Sequence, residues 1–527
     1  MMQVAFKAVC AASILGMALA TSAMAADTLT VKTEQGKVHG KTINDGKVKA
    51  FLGLPYAAPP TGDLRWKAPQ PAAKWKGDRD ATAFGAHCAQ NHVFDDMVFQ
   101  DSGGSEDCLF LNVCTPADAT SKSKLPVMFW IHGGGYSGGG SDEPRHNGDF
   151  LPLKGVVLVT INYRLGVFGF LVTPDLAKEG NGVAGNWGLL DMVAGLQWVK
   201  ANIGEFGGDP ANVTIFGESA GSFAVSTLMA SPLARGLFAK GIGESGSAVG
   251  GGLGGQTVDE TAKSGQKWVD AVGAKNLAEL RAMPTDKVLD SLKPKPGAPP
   301  MGGGFNFSPD IDGKLLVEPV PDTYAAGRQA HVPLLAGWNA DEGSFFAMRG
   351  MTLEQFKGMA AQLYKDKAEE FLKLYPATTD AEALRAAIDF GSDSFIALGT
   401  WKWIEAQKKT GESPVYRYHF ELAATPSKFH PGTFAFHSDD IEYVFGTLDT
   451  RPGWTVRPED RKLSDEMMSY WTNFAKTGDP NGPGLPEWPR FDKTGLVLHL
   501  DSKITADPDT ARPRYEFLLK GIPAERF

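Results

Sequence analysis

The sequence predicts an α/β fold, a mostly parallel sheet with helices packed on it, and three observations carry that prediction. Short apolar runs rich in β-branched residues recur along the chain, a segment of helical periodicity lies between two of them, and a serine flanked by glycines follows another. The runs are Val127–His132, Val156–Asn162, Val213–Phe216, Val332–Ala336 and Val415–Phe420. Their two faces are both apolar, as expected of strands buried between helices. Between the second and third, Leu189, Met192, Val193, Leu196, Val199 and Ile203 recur at helical spacing, which predicts an amphipathic helix ended by Gly207 and Gly208. Strands alternating with helices in this way define the α/β class.

Two stretches interrupt the alternation. Residues 250–310 contain the turn-rich segment Lys293 to Gly304, and residues 350–410 are rich in helix formers around Phe371, Leu374, Leu384 and Ile388. Both read as large, partly helical insertions on one core, placed to cover a pocket. With no internal repeat and no dividing linker, residues 26–527 are expected to form one domain.

Residues 1–25 read as a secretory signal. Lys7 gives a small positive start, Ala8 to Ala20 is apolar, and Ala23-Met24-Ala25 is an A-x-A cleavage site. The apolar stretch falls short of the roughly 20 residues that span a bilayer, and no later segment is long and apolar enough, so no stable membrane anchor is expected. The protein is therefore expected to be secreted or periplasmic. A formal charge of −9 without a long Lys/Arg run argues against nucleic acid as a partner. Cleavage removes Cys10 and leaves Cys88, Cys108 and Cys114. An oxidising compartment permits one disulfide. Cys88 with Cys108 is the favoured pair because a polar, glycine-containing loop separates them. Cys114 lies in an apolar run and reads as a buried small hydrophobe. Three cysteines without CxxC spacing give no metal site, and no motif calls for a cofactor.

The strongest local signal is Gly217-Glu218-Ser219-Ala220-Gly221, between the strand Val213–Phe216 and the helix-compatible run Ser222 to Met229. A sharp strand-to-helix turn needs glycines on either side of the serine, where a larger side chain would meet backbone. The turn lifts the hydroxyl to a helix N-terminus, where negative charge is favoured. The pattern alone is common in a chain with 62 glycines; its place between strand and helix makes it specific. A second signal, His132-Gly133-Gly134-Gly135, directly follows the strand Val127–Ile131. Backbone amides of Gly134 and Gly135, with that of Ala220, are candidate donors of an oxyanion hole.

These motifs belong to a longer series. Phe51-Leu52-Gly53-Leu54-Pro55-Tyr56-Ala57, Leu64-Arg65-Trp66 and Ser105-Glu106-Asp107-Cys108-Leu109-Phe110-Leu111-Asn112 come first, followed by Asn162-Tyr163-Arg164-Leu165-Gly166 and Gly185-Asn186-Trp187-Gly188-Leu189-Leu190-Asp191. In that order they resemble the type-B carboxylesterases, the family of cholinesterases and para-nitrobenzyl esterases, over roughly residues 30 to 520. The resemblance implies an α/β-hydrolase fold and a serine hydrolase that cleaves small-molecule carboxylic esters, of short to medium acyl chains, through an acyl-enzyme on Ser219.

Sequence chemistry leaves Asp341 and Glu342 equal as the acid. The resemblance of Gly337-Trp338-Asn339-Ala340-Asp341-Glu342-Gly343 to the family's acid motif assigns the role to Glu342, with Asp341 as support. Among ten histidines, His437 precedes Ser438-Asp439-Asp440-Ile441-Glu442-Tyr443-Val444-Phe445-Gly446, which resembles the segment after the family's histidine. His419, in a strand pattern, and His430 are its competitors. The order Ser219, Glu342, His437 is that of α/β-hydrolases. The resemblance further implies a supporting serine at Ser245, ion pairs Arg65–Glu106 and Arg164–Asp191, and the Cys88–Cys108 bridge; Glu218 stands ready to tune the imidazole or merely to shape the turn. One departure is plain: the loop between Cys88 and Cys108 has no tryptophan, and Phe99 is a weak substitute for binding a quaternary ammonium by cation–π attraction. A general esterase is expected, with an amidase, a lactonase or a non-catalytic cholinesterase-like binding protein as alternatives.

Overall fold

The computed structural model of the chain describes residues 29–250, 253, 255–293, 305, 307–345, 350–428 and 430–521. The leader over residues 1–25 lies outside the described residues, as does most of Lys293 to Gly304. Among the described residues no helix is long and apolar enough to cross a membrane.

An 11-stranded sheet organises the fold. Its strands are β1 (Lys41–Ile43), β2 (Val48–Pro55), β3 (Phe110–Pro116), β4 (Leu125–Ile131), β5 (Val157–Ile161), β6 (Gly208–Glu218), β7 (Lys240–Glu244), β8 (Leu334–Asn339), β9 (Val415–Phe420), β10 (Leu496–Leu500) and β11 (Thr505–Pro508). In space they run β11-β10-β9-β8-β7-β6-β4-β5-β3-β2-β1. From β5 across to β10 every pairing is parallel. The flanking pairs, β1–β2, β2–β3, β3–β5 and β10–β11, are antiparallel. All five apolar runs read from the sequence are strands of the parallel part. β7 carries Lys240 and Glu244 at its ends and glycines inside, so it shows no apolar run, yet all five of its residues are buried.

Alternate residues of β4 serve opposite faces: Phe129 and Ile131 join one core cluster, Met128 and Trp130 the other. Each face is covered by helices, among them α1 (Trp187–Asn202), α2 (Ala220–Ala230), α3 (Leu398–Thr410) and α4 (Pro458–Thr477). α1 departs from the expected amphipathic pattern. Only Gln197, Lys200 and Ala201 are exposed, and the helix is otherwise wrapped by protein. It lies so close to the sheet that a Cβ on Gly195 would fall 2.3 Å from Ile161 Cδ1. The helix stops at Asn202, a short 3-10 turn follows, and Gly207 turns the chain at φ 91° into β6.

The two interruptions have different fates. Within 250–310, the helix Val258–Val272 packs beside the core, and Arg65 reaches its following segment through the carbonyls of Leu280 and Met283. Within 350–410, the helices Leu353–Tyr364, Ala368–Leu374 and Asp380–Ser392 build a separate aromatic cluster around Phe356, Phe371 and Tyr375. The last part of that stretch is not an outlier: α3 lies directly on the sheet, with Trp403 where a Cβ on Gly243 would be only 2.2 Å away. Helix formers look alike in both settings, so composition could not separate them. Both implied ion pairs form and are buried, Arg65–Glu106 at 2.5 Å and Arg164–Asp191 at 2.7 Å. Cys88 and Cys108 are bridged, and Cys114 is buried and free.

Candidate active site

Parallel strands in register bring their C-terminal ends to one level. Glu218 of β6 sits beside Glu244 of β7, and Glu244 beside Gly337 of β8. The next residues, Ser219 and Ser245, both have positive φ, 53° and 56°. Their amides extend the ladder by one bond, to Glu244 O and Gly337 O, each at 2.9 Å. For a serine such a backbone is costly, on the order of 1–3 kcal/mol, and it persists only where neighbours enforce it. Here the glycines do so. A Cβ on Gly217 would lie 2.5 Å, and one on Gly221 2.0 Å, from the carbonyl oxygen of Ile131. The turn therefore packs flush against the end of β4, and α2 begins at Ala220, whose N–H belongs to the helical turn that has no internal acceptors.

Three segments far apart in sequence meet at this turn. Nε2 of His437 is 2.9 Å from Ser219 Oγ, and its Nδ1 is 2.5 Å from Glu342 Oε2. The other Glu342 oxygen accepts from Ser245 Oγ at 2.5 Å and from the Asn339 amide at 2.8 Å. The Glu342 carboxylate is wholly buried, whereas 27% of the His437 side chain is open to solvent. Asp341 turns the other way: it pairs with Arg385 and accepts from the Ala435 amide at 2.9 Å, which steadies the segment leading to His437. Of the competing histidines, His430 stacks on Phe436 at 3.6 Å and His419 lies on β9; neither contacts Ser219.

Carboxylates surround the imidazole. Glu218 is buried, with Oε1 3.3 Å from His437 Nε2. Burial raises the Glu218 carboxyl to about 8, aided by the charges of Asp440 and Glu342 and opposed by His437 and Arg145. Burial lowers His437, but the facing charges of Glu218, Glu342 and Asp440 outweigh it and raise the imidazole to about 9. The downstream acidic run is buried too, and cations hold it. Arg451 pairs with Asp439 and with Glu442, each at 2.6 Å, and Arg145 reaches Glu442 at 3.1 Å. Burial would raise Glu442, yet the two guanidiniums outweigh it and hold its carboxyl below the ordinary range. Asp440 accepts from Asn339 at 3.1 Å and from the Tyr418 hydroxyl at 2.8 Å. Arg145, Arg451, Asn339 and Tyr418 were not singled out in the sequence. The available signal was the acidic run itself, because three carboxylates in four residues cannot be buried without partners.

The glycine loop after β4 packs on the same turn. A Cβ on Gly133 would stand 3.2 Å from Ser219 Cβ, and Gly134 and Gly135 have φ of 99° and 61°. Space beyond Gly135 is open, with no atom within 4 Å of where a Cβ would be. His132 anchors the loop: it stacks on Tyr163 at 4.3 Å, and burial drops its imidazole to about 4, so it is neutral. Gln90, from the disulfide-closed segment, donates to Gly139 O and accepts from Gly139 N, both at 2.8 Å. Phe99 is engaged, stacked on His87 at 4.0 Å.

Known proteins resemble this chain over most of its length. The family model described as the carboxylesterase family matches residues 27–518. Fumonisin B1 esterase of Sphingopyxis macrogoltabida is 36% identical over 494 residues, 90% of this chain and 86% of that protein. Para-nitrobenzyl esterase of Bacillus subtilis (strain 168) is 36% identical over 507 residues, 93% of this chain and 99% of that one. A solved structure of a PNB esterase superposes with a TM-score of 0.77 at 34% identity, covering 93% of this chain and 99% of its own.

Proposed function

Because the chain belongs to the carboxylesterase family and is a carboxylic ester hydrolase of α/β-hydrolase fold, we propose that Ser219, His437 and Glu342 carry its reaction. The observation behind this reading is the continuous hydrogen-bonded relay Ser219–His437–Glu342 at 2.9 and 2.5 Å. A neutral hydroxyl is a weak nucleophile, so His437 takes the Ser219 proton as Oγ attacks the ester carbonyl. Glu342 holds the imidazole in orientation and stabilises the imidazolium, and Ser245 and Asn339 hold Glu342. The tetrahedral oxygen takes hydrogen bonds from the Gly134, Gly135 and Ala220 amides, each such donor being worth about 3–4 kcal/mol. His437 then protonates the departing alkoxide, an acyl-enzyme remains on Ser219, and water reverses the sequence.

Carboxylic esters of short to medium acyl chains are the proposed substrates; the para-nitrobenzyl group in the Bacillus relative's name describes the alcohol side alone. The apolar leader and the Cys88–Cys108 bridge support export to an oxidising compartment. Hydrolysis of para-nitrophenyl esters from acetate to dodecanoate tests the reading. Turnover is expected to be highest for the short chains and to fall by about 10⁶ in Ser219→Ala, the loss typical when such a serine is removed. A variant that still turns over near the wild-type rate would refute the nucleophile.

A further inference from the structure

We propose that His419, Glu421 and His499 form a binding site for a divalent transition-metal ion of the zinc class, separate from the ester-cleaving centre. His419 on β9 and His499 on β10 are register partners in adjacent parallel strands, so their side chains emerge together on one face of the sheet. Glu421 follows β9 directly, and its amide bonds to Leu500 O at 2.8 Å, which fixes the third group against the other two. Nδ1 of His419 is 2.6 Å and Nδ1 of His499 2.7 Å from the same oxygen, Glu421 Oε1, and the three ligand atoms lie within 4.8 Å of one another.

This donor set suits an ion. Zinc takes imidazole nitrogen and carboxylate oxygen at about 2.0–2.2 Å, which puts tetrahedral ligands about 3.3 Å apart. Each imidazole would therefore move away from the carboxylate by about 0.6 Å or slightly more to admit an ion. Nε2 of His499 is buried, leaving Nδ1 as the ring atom that faces the other donors. The side chains are 27%, 24% and 31% exposed for His419, His499 and Glu421, so solvent reaches the cluster and water can take the fourth position. Two imidazoles and one carboxylate favour zinc, copper or nickel over magnesium or calcium, which prefer all-oxygen sites. The neighbouring charges are permissive: Arg417 lies close but is paired with Asp509, and Asp507 adds a negative charge near His499. An ion here would clamp β10 to β9, the last parallel pair of the sheet.

The experiment uses the full chain and zinc alone. Equilibrium dialysis with elemental analysis counts ions per chain, thermal scans record Tm with and without zinc, and Co²⁺ supplies the visible ligand-field bands of a tetrahedral nitrogen–oxygen site. Wild type is expected to hold one more ion per chain than Glu421→Gln or His499→Gln and to gain several degrees of Tm with zinc. Both variants should lose that gain while retaining metal-free ester turnover, which shows that they fold. His87→Gln, which alters the separate His87–Asp101–Asp142 cluster, should keep it. Equal stoichiometry and equal Tm shifts in wild type and both variants, or no binding by wild type at millimolar zinc, would overturn the proposal. If His499→Gln fails to fold, Glu421→Gln and the cobalt spectrum decide alone.

Discussion

The turn that carries Ser219 and the segment that carries His437 meet at one hydroxyl, yet they are held in opposite ways. The turn is shaped by steric fit, which two glycines four residues apart permit: Gly217 and Gly221 press on the distant Ile131 carbonyl, and register between β6, β7 and β8 sets its height. The His437 segment, ahead of the helix Ile441–Phe445, is held by buried charge and hydrogen bonds, through Arg145, Arg451, Asn339 and Asp341. Steric shape needs only the right small residues next to one another. Charge balance needs partners from outside the segment, Arg451 from 9 to 12 residues further on and Arg145 from 297 residues away. The first kind of construction is therefore written locally, and the second is not.

The contrast can be broken most severely at Arg451. Its side chain is 5% exposed and holds Asp439 and Glu442. Replacing it with methionine strands buried carboxylates, which typically costs 3–5 kcal/mol. Arg451→Met should therefore show a clear drop in urea midpoint as well as in turnover; a loss under about 1 kcal/mol would mean that the charges do not hold the segment. Gly221→Ala probes the other construction. Within an ordinary helix this change stabilises by roughly 0.5–1 kcal/mol, but here the added Cβ meets the Ile131 carbonyl at 2.0 Å. Turnover should fall about 100-fold, as expected when reacting groups shift by about 1 Å, and Tm should fall. An unchanged or raised Tm would show that the turn can yield.

Glu218→Gln gives the smallest and most specific effect, because Glu218 belongs to the turn but acts on the imidazole. The proposed base must be neutral, so kcat/KM rises with pH through the raised His437 value of about 9. Removing the carboxylate whose charge raises the imidazole most destabilises the imidazolium, and the rising limb should move to lower pH, toward the ordinary 6.5. The sign can be checked against Glu342, whose contact remains in the variant. A limb that stays put would assign the shift to the other carboxylates alone.

Much of this protein was legible before any coordinates. The five apolar runs became parallel strands because burial on both faces demands apolar residues throughout, and the Gly217–Gly221 pattern named its own turn because only glycine fits there. α1 was recognised as a helix, but the share of its surface that neighbours cover was not, since periodicity reports where apolar residues lie and not what surrounds the rest. Strand β7 escaped because Lys240 and Glu244 break its apolar run, although both are buried.

What the chain determined by itself, then, is whatever depends on neighbours in sequence: strand character, the steric turn at Ser219, the glycine loop after β4. Sequence chemistry left open whether Glu342 or Asp341 faces His437, and only the family resemblance pointed to Glu342; folding decided that contact, the neutralisation of the acidic run by Arg145 and Arg451, and the sharing of one carboxylate by His419 and His499. Those facts are distances between residues 9 to 297 positions apart in the chain. Such distances follow from strand order and register, quantities to which every part of the chain contributes and which no short stretch of it contains.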